Sequence, residues 1–387
     1  MTRVAGGWIE DADTQAVCTM LTAAGHSALF VGGCVRNALL GAPVEDIDIA
    51  TDALPSRVME LARAAGLKPV PTGIDHGTVT VVAGHKGHEI TTFRRDVETF
   101  GRHAVVAYSD DIREDAARRD FTMNALYAQP DGSVVDPLGE GLTDLLARHV
   151  RFVGHAETRI REDYLRILRF FRFTAWYGDP AAGFDPAGLS AIAANLDGLA
   201  ALSRERVGAE LKKLLSAPDP APAVAVMQAT GVLGRILPGA DSRFLAPLVH
   251  LEGQARVAPD PMRRLCALGA DSDIARSLRL SRAETRRLER MRDGLEQGAG
   301  PAALGHALGP KEAEDVLLLR AALAGQPIDP DDLRAASQGA AQVFPITARD
   351  LMPRYVGPEL GAKLAELERA WIASGFKLTR DDLLRRL

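Results

Sequence analysis

The stretch that most constrains this chain runs from residue 29 to 51 and reads LFVGGCVRNALLGAPVEDIDIAT. A short apolar run, Leu29 to Val31, enters a glycine pair, Gly32 and Gly33. Arg36 follows, an amphipathic segment closes at Gly41, and a second strand-like run carries Asp46 and Asp48. Strand side chains alternate between faces, so Asp46 and Asp48 are expected on one face and Ile47 and Ile49 on the other. Two neighbouring carboxylates repel unless something positive lies between them, and a divalent cation is the usual solution. Glycine lets backbone approach a ligand and aim amides at phosphate, while Arg36 adds a full charge. Taken singly, a Gly-Gly is a turn and an Asp-x-Asp is a solvated strand end or a helix cap. Together they imply a metal-dependent site for a nucleotide triphosphate. Neither the dinucleotide fingerprint G-x-G-x-x-G nor a Walker GK[ST] is present in the stretch.

GGCVRNALLG followed by EDIDIAT resembles the first motif of the class II nucleotidyltransferases, which comprise the tRNA CCA-adding enzymes and the bacterial poly(A) polymerases. The chain departs from that motif at Asn37, where the family usually has Asp. The aspartate pair is untouched, so the departure bears on a supporting hydrogen bond. Three further stretches resemble the family's later motifs in the right order. RRDFTMNAL begins at Arg118, Arg119 and Asp120; the resemblance implies that Arg119 contacts the nucleotide. VVDPLGEGLTDL (134–145) is similar to the third motif with one extra residue between Asp136 and Asp144, and implies a structural link between head and neck.

REDYLRILRFFRF (161–173) places Asp163, Arg166, Arg169 and Arg172 at intervals of three, one drifting stripe of a helix, with Leu165, Leu168 and Phe171 expected inward. On spacing alone this is an amphipathic helix with ion pairs along it. It resembles the fourth motif, which reads the incoming base. A carboxylate accepts from the exocyclic amine of C or A and a guanidinium donates to a ring nitrogen or carbonyl, so Asp163 with Arg166 would favour CTP and ATP over UTP and GTP. Arg169 and Arg172 would hold that pair and meet phosphate or ribose.

The chain has 387 residues, 47% apolar and 25% charged, which suits a soluble protein of two or three domains. No run of about eighteen apolar residues and no signal-peptide core occur, so a cytoplasmic protein without membrane association is expected. Cys18, Cys34 and Cys266 lie far apart, so neither a disulfide framework nor a zinc site is expected. His85 and His88 flank an expected turn and are read as surface residues. The net charge of −5 does not itself point to nucleic acid, but phosphate contacts depend on local patches. Only seven of the 46 basic residues are lysine; compositional bias alone would explain that, and arginine also supplies the forked donors suited to phosphate and base edges.

In order, the patterns predict a helix over 9–25, a strand over 28–31, a short helix over 37–40 and the aspartate strand. A helix beginning at Pro55 follows, then a hairpin of 77–84 and 88–94 joined by an HKG turn. These give a small mixed sheet with helices on one side. Glu89 is a candidate third carboxylate or an ordinary exposed strand residue. Residues 95–111 read as a mobile loop and a short strand; the resemblance ties such a loop to the switch from adding C to adding A, and its presence favours full CCA addition. From about 187 onward the chain reads as all helical. Residues 276–293 carry seven arginines against three acids, a solvated face or a contact for tRNA backbone. Thr347 and Asp350 are spaced as a capping pair.

The fold class expected is α+β: a polymerase-beta-type nucleotidyltransferase head (1–152), a helical neck (153–240), and a helical body and tail (241–387). The resemblance implies addition of CCA to tRNA 3′ ends from CTP and ATP. Asp46 and Asp48 would hold Mg²⁺, Gly33 and Arg36 would cradle the triphosphate, and Arg119 would orient it. A poly(A) polymerase of the same family is the alternative, and a non-catalytic RNA-binding scaffold the one from another class. Oligomeric state is not legible.

Overall fold

A computed structural model of the chain describes residues 2–100, 103–270 and 273–387, and divides it into two compact units, 1–236 and 237–387. The boundary expected at 152/153 falls inside the first unit.

The first unit opens with α1 (Gly7–Glu10) and α2 (Ala12–Thr22), two pieces where one helix over 9–25 was expected. The break is Asp11, whose side chain accepts from the amides of Asp13 and Thr14 and so restarts the helix as an N-cap. β1 (Leu29–Val31) leads into α3 (Gly33–Leu39), which starts at the glycine pair rather than at Asn37. β2 (Asp48–Thr51), α4 (Pro55–Ala64), β3 (Lys68–Gly73), β4 (Thr78–Ala83) and β5 (Lys86–Thr92) follow. Later come β6 (Arg94–Phe100), β7 (His103–Tyr108), α5 (Ile112–Ala117), β8 (Tyr127–Ala128) and β9 (Val134–Val135).

The main sheet has the order β3-β4-β5-β2-β1-β8-β9, with β2 and β5 parallel and the other pairs antiparallel. β3 carries two prolines and no strand was expected there; it is an edge strand, where a missing N–H costs least. The hairpin turns at Gly84 and His85, both at positive φ (51° and 71°), so Lys86 and Gly87 belong to the strand. Residues 94–100 and 103–108 pair as a separate two-stranded ribbon in place of the expected loop; the part of that loop at 101–102 lies outside the described residues.

Helices α2 and α4 pack on β3, β4 and β5, and Val17, Leu21, Val58, Val79, Val81 and Ile90 of these elements are all buried. A second cluster of Val31, Ala50, Phe93, Ala116, Ala125, Tyr127 and Val153 joins β1, β2 and β8 to α5. Alternation puts Ala50 on the face of Asp48, so this cluster covers the other side of the sheet. Helices therefore flank both faces, not one, and the Asp48 end is left open. His88 is fully buried rather than exposed: it is in phase with Ile90 and Thr92, and its Nε2 lies 3.0 Å from Thr14 Oγ1. Burial pushes its pKa down. The three cysteines are buried and free.

The rest of the unit is helical: α6 (Gly141–Leu146), α7 (Ala156–Glu162), α8 (Leu165–Tyr177), α9 (Pro186–Ala193), α10 (Arg204–Leu215), α11 (Ala221–Ala229) and α12 (Val232–Ile236). The third motif is structural here. Asp136 caps the amides of Gly139 and Leu142, and buried Asp144 accepts from Thr122 Oγ1 and from Arg151. Helix α8 packs on α10 and α11, with Ile167, Leu168, Phe170, Phe171 and Phe173 buried.

The second unit comprises α13 (Leu245–Ala255), α14 (Pro261–Ala267), α15 (Ile274–Ser277), α16 (Arg282–Glu296), α17 (Pro301–Leu308), α18 (Pro310–Ala324), α19 (Pro330–Ala340), α20 (Ala348–Leu351), α21 (Gly357–Ala373) and α22 (Arg380–Leu384). Helices α17 and α19 cross so closely that a Cβ at Gly305 would lie 1.8 Å from the Ala336 carbonyl and one at Gly339 1.9 Å from that of Ala302. Arg263 and Arg264 are buried against Glu252, and Arg263 also reaches Asp315. Thr347 and Asp350 form the expected capping box. No helix among the described residues is long and apolar enough to cross a membrane.

Candidate active site

β2 begins at Asp48, and Asp46 stands just before it. The parallel register sets Glu89 of β5, the candidate third carboxylate, directly beside Asp48. Glu45, Asp46, Asp48 and Glu89, with residues 86–88, line a cleft of about 580 Å³. Burial, then the charges of Glu89 and Asp46, push the Asp48 pKa up, and Arg119 opposes them. Burial and like-charged neighbours both disfavour the charged form of Asp48, which a bound cation would relieve. The donors of this carboxylate set are all oxygen, which suits a hard divalent ion. Among the described residues no three of these side chains converge into a finished cage, so water and substrate oxygens would complete the shell.

Gly32 connects β1 to α3 at φ +72°, a conformation that favours glycine. Above it lies Arg119 Nη1, 3.4 Å from where a Cβ on Gly32 would stand. Arg119 is pinned from behind: Nε donates to Tyr127 Oη (3.1 Å) and Nη2 to Asp115 (2.9 Å), while Tyr127 Oη–H donates to Asp115 (2.6 Å). Nη1 has no protein partner among the described residues. Burial alone would raise the Asp115 pKa, but Arg119 and Arg118 hold it at about 2. Arg36 is in a different state. It is 7% exposed, with Nε and Nη2 on Asn37 Oδ1, Nη1 on Asn124 Oδ1 and Nη2 on Tyr177 Oη. Its guanidinium stands behind Gly33, 3.9 Å from a Cβ there. Asn37 thus keeps the hydrogen bonds an Asp would make and withholds the charge.

The stripe expected over 161–173 is interrupted. Helix α7 ends at Glu162, Asp163 is extended (φ −153°, ψ 106°), and α8 starts at Leu165. Asp163 Oδ1 accepts from the Leu165 amide (3.0 Å) and Oδ2 from Arg206 of α10 (2.5 Å). Arg166 pairs with Glu162 (2.5 Å), Arg169 with Asp120 (2.5 Å), and Arg172 with Glu210 (2.6 Å). Burial alone would raise the Asp120 pKa, but Arg169 and Asn124 hold it at about 2.

Residues 28–151 match the family model described as the poly A polymerase head domain, and residues 183–244 match one described as a probable RNA and SrmB-binding site of polymerase A. A CCA tRNA nucleotidyltransferase 1, mitochondrial, of Mus musculus is 32% identical over 93% of this chain and 86% of its own length. The chain belongs to the class II nucleotidyltransferase and poly(A) polymerase family. A CCA-adding enzyme of Geobacillus stearothermophilus is 43% identical over 56% of the chain and 52% of that relative. A crystal structure of the Bacillus stearothermophilus CCA-adding enzyme in complex with CTP aligns with TM-score 0.76 at 28% identity, over 94% of this chain and 93% of that one.

Within this family framework, the described contacts bring Asp46, Asp48, Glu89, Gly33 and Arg119 to one end of the sheet, while Asp163 stands at the α7–α8 junction and Arg166, Arg169 and Arg172 follow along α8. Among the partners that went unread in the sequence are Asp115, Asn124, Tyr127, Tyr177, Arg206 and Glu210. Arg206 and Glu210 lie in the neck-like segment LSRERVGAEL, where an ion pair to residues some forty positions upstream leaves no local pattern.

Proposed function

We propose that this enzyme adds CMP, CMP and AMP from CTP and ATP to the 3′ end of tRNA without a nucleic-acid template. The observation that carries the reading is the carboxylate set Asp46, Asp48 and Glu89 facing Arg119 across the Gly32–Gly33 turn, in a chain similar over nearly its whole length to named CCA tRNA nucleotidyltransferases. Asp46 and Asp48 would hold Mg²⁺, with Glu89 beside them. Two such ions supply a more acidic primer 3′-hydroxyl and neutralisation of the departing pyrophosphate. The chain's own residues do the rest. Gly33 admits the triphosphate close to backbone, Arg119 aims Nη1 at it from a fixed seat, and Arg36 supplies positive charge behind the turn. Asp163 accepts from the exocyclic amine of C or A while Arg166 donates to the ring, and Arg169 and Arg172 keep α8 seated against Asp120 and Glu210. The exposed arginines Arg276, Arg282 and Arg286 suit tRNA phosphates, whereas Arg287 is spent on Asp260 and Asp315.

The test is Asp46→Ala and Asp48→Ala, read as radiolabelled CTP incorporation into tRNA lacking CCA. Both are expected to abolish incorporation, and substantial residual activity would refute the metal assignment. Supplying each nucleotide alone separates the products: ATP-only extension of any RNA end would identify a poly(A) polymerase instead.

A further inference from the structure

Arg36 is a nearly fully buried cation, and its hydrogen-bond acceptors are the neutral Asn37, Asn124 and Tyr177. Burial accordingly pushes its pKa down. In place of a carboxylate it has aromatic faces: its guanidinium carbon lies 4.0 Å from the Tyr177 ring centroid and 5.2 Å from that of Phe173. Ring quadrupoles attract a cation most strongly when both are dry. Tyr177 is the last residue of α8 and Phe173 stands one turn before it; the Phe173 ring also receives Arg172 at 4.5 Å and Arg169 at 5.3 Å. The helix that starts at the glycine cradle and the helix that carries the base-reading stripe are therefore joined at one cation–aromatic knot.

We propose that Tyr177, with Phe173, is a positioning residue that sets the phosphate side of the site in register with the base side by clasping Arg36. This rests on the functional reading above. A nucleotide is gripped at its triphosphate near α3 and at its base near α8, so the distance between the grips is itself a selective element. Loosening the clasp lets α3 and α8 drift apart. Binding then weakens for every nucleotide, and a wrong base is rejected less strictly, while the carboxylate chemistry is untouched.

The experiment compares wild type, Tyr177→Phe and Tyr177→Leu for KM and kcat with CTP and ATP and for preference of CTP over UTP. Tyr177→Leu removes both the ring and the hydroxyl. It is expected to raise KM for both nucleotides about tenfold, to lower the CTP preference at least ~3-fold, and to leave kcat within a factor of about two. Tyr177→Phe keeps the ring, and its KM is expected between the two. Unchanged KM and preference in Tyr177→Leu, or a fall in kcat alone, overturns the proposal. If Tyr177→Leu does not fold, an unchanged KM in Tyr177→Phe overturns it. Should wild type incorporate neither nucleotide, the functional reading fails by itself. The clasp is then judged by hydrogen exchange of the α3 amides, expected faster in Tyr177→Phe and refuting the clasp if unchanged.

Discussion

Tyr127→Phe isolates how Arg119 is held. The Tyr127 ring is fully buried in the cluster between β8 and α5, and Phe fills the same space, so the change removes one hydroxyl and creates almost no cavity. That hydroxyl donates to Asp115 at 2.6 Å and accepts from Arg119 Nε at 3.1 Å. A hydrogen bond to a charged group contributes about 1.5–3 kcal/mol, and a buried donor left unsatisfied adds a penalty of its own. Since Arg119 and Arg118 still reach Asp115, the net loss of stability is expected at about 2 kcal/mol. For a unit of this size that is a fall in Tm of roughly 4–8 °C. With one of its two anchors gone, Arg119 Nη1 samples positions away from Gly32, and KM for CTP and ATP is expected to rise about tenfold, equivalent to about 1.4 kcal/mol. Base preference is expected to stay unchanged, because Asp163 and Arg166 are held by other partners. Urea melts and steady-state incorporation check both halves. A stability loss under about 0.5 kcal/mol, or a lost base preference at normal KM, would show that Tyr127 does not seat Arg119.

Two further expectations concern the charged groups around α8. Arg206→Ala leaves the Asp163 carboxylate with only the Leu165 amide to orient it, so preference for CTP over UTP should fall about tenfold with KM for the tRNA unchanged; retained preference at normal stability would remove Arg206 from the selecting machinery. Asp115 and Asp120 both titrate in the folded chain at about 2, against an ordinary value of 3.8. A depressed folded pKa stabilises above the unfolded value, so the contribution is complete above about pH 5 and is lost as the pH falls from 4 toward 2. At about 1.4 kcal/mol per unit, each carboxylate contributes on the order of 2 kcal/mol. Urea melts between pH 7 and 2 should show that slope, flattened by Asp120→Asn; a flat profile would mean that these ion pairs add nothing to folding.

Part of this site was legible because it is local. The spacing of Asp46 and Asp48, the glycine pair and the arginine interval are each patterns within a few residues, and the first two are what led to the expectation of metal and phosphate chemistry. Glu89 was not decidable from its own neighbourhood, because only the parallel pairing of β2 with β5 sets it beside Asp48. The break at Asp163 was readable in principle: an aspartate that accepts from an amide two residues on competes with helix at that point. His88 was readable too, since strict alternation in HEITT places it inward with Ile90 and Thr92. The arginine periodicity predicted ion pairs along a single helix, but the pairs of Arg169 and Arg172 run across elements, to Asp120 and Glu210.

Two of the arginines show what the guanidinium offers that a lysine would not. Arg119 spends Nε and one Nη2 hydrogen on Tyr127 and Asp115, and among the described residues nothing takes its Nη1 hydrogens. Arg36 satisfies three neutral acceptors and lies over an aromatic face at once. A lysine ammonium is a single point with three donors and no plane, so it cannot be braced on one edge while presenting another. A site that must choose between bases with side chains alone needs donors whose direction is fixed before the nucleotide arrives, because a side chain free to rotate would meet UTP as readily as CTP. Under the proposed function, the bracing of Asp163 by Arg206, and of α8 by Asp120 and Glu210, would serve that requirement. Among the described residues the carboxylate end of the sheet has no such bracing among its own members, and under the proposed function its mutual repulsion would favour a cation. Under the proposed function, selectivity would lie in the partners of Asp163 and Arg166 as much as in those residues themselves.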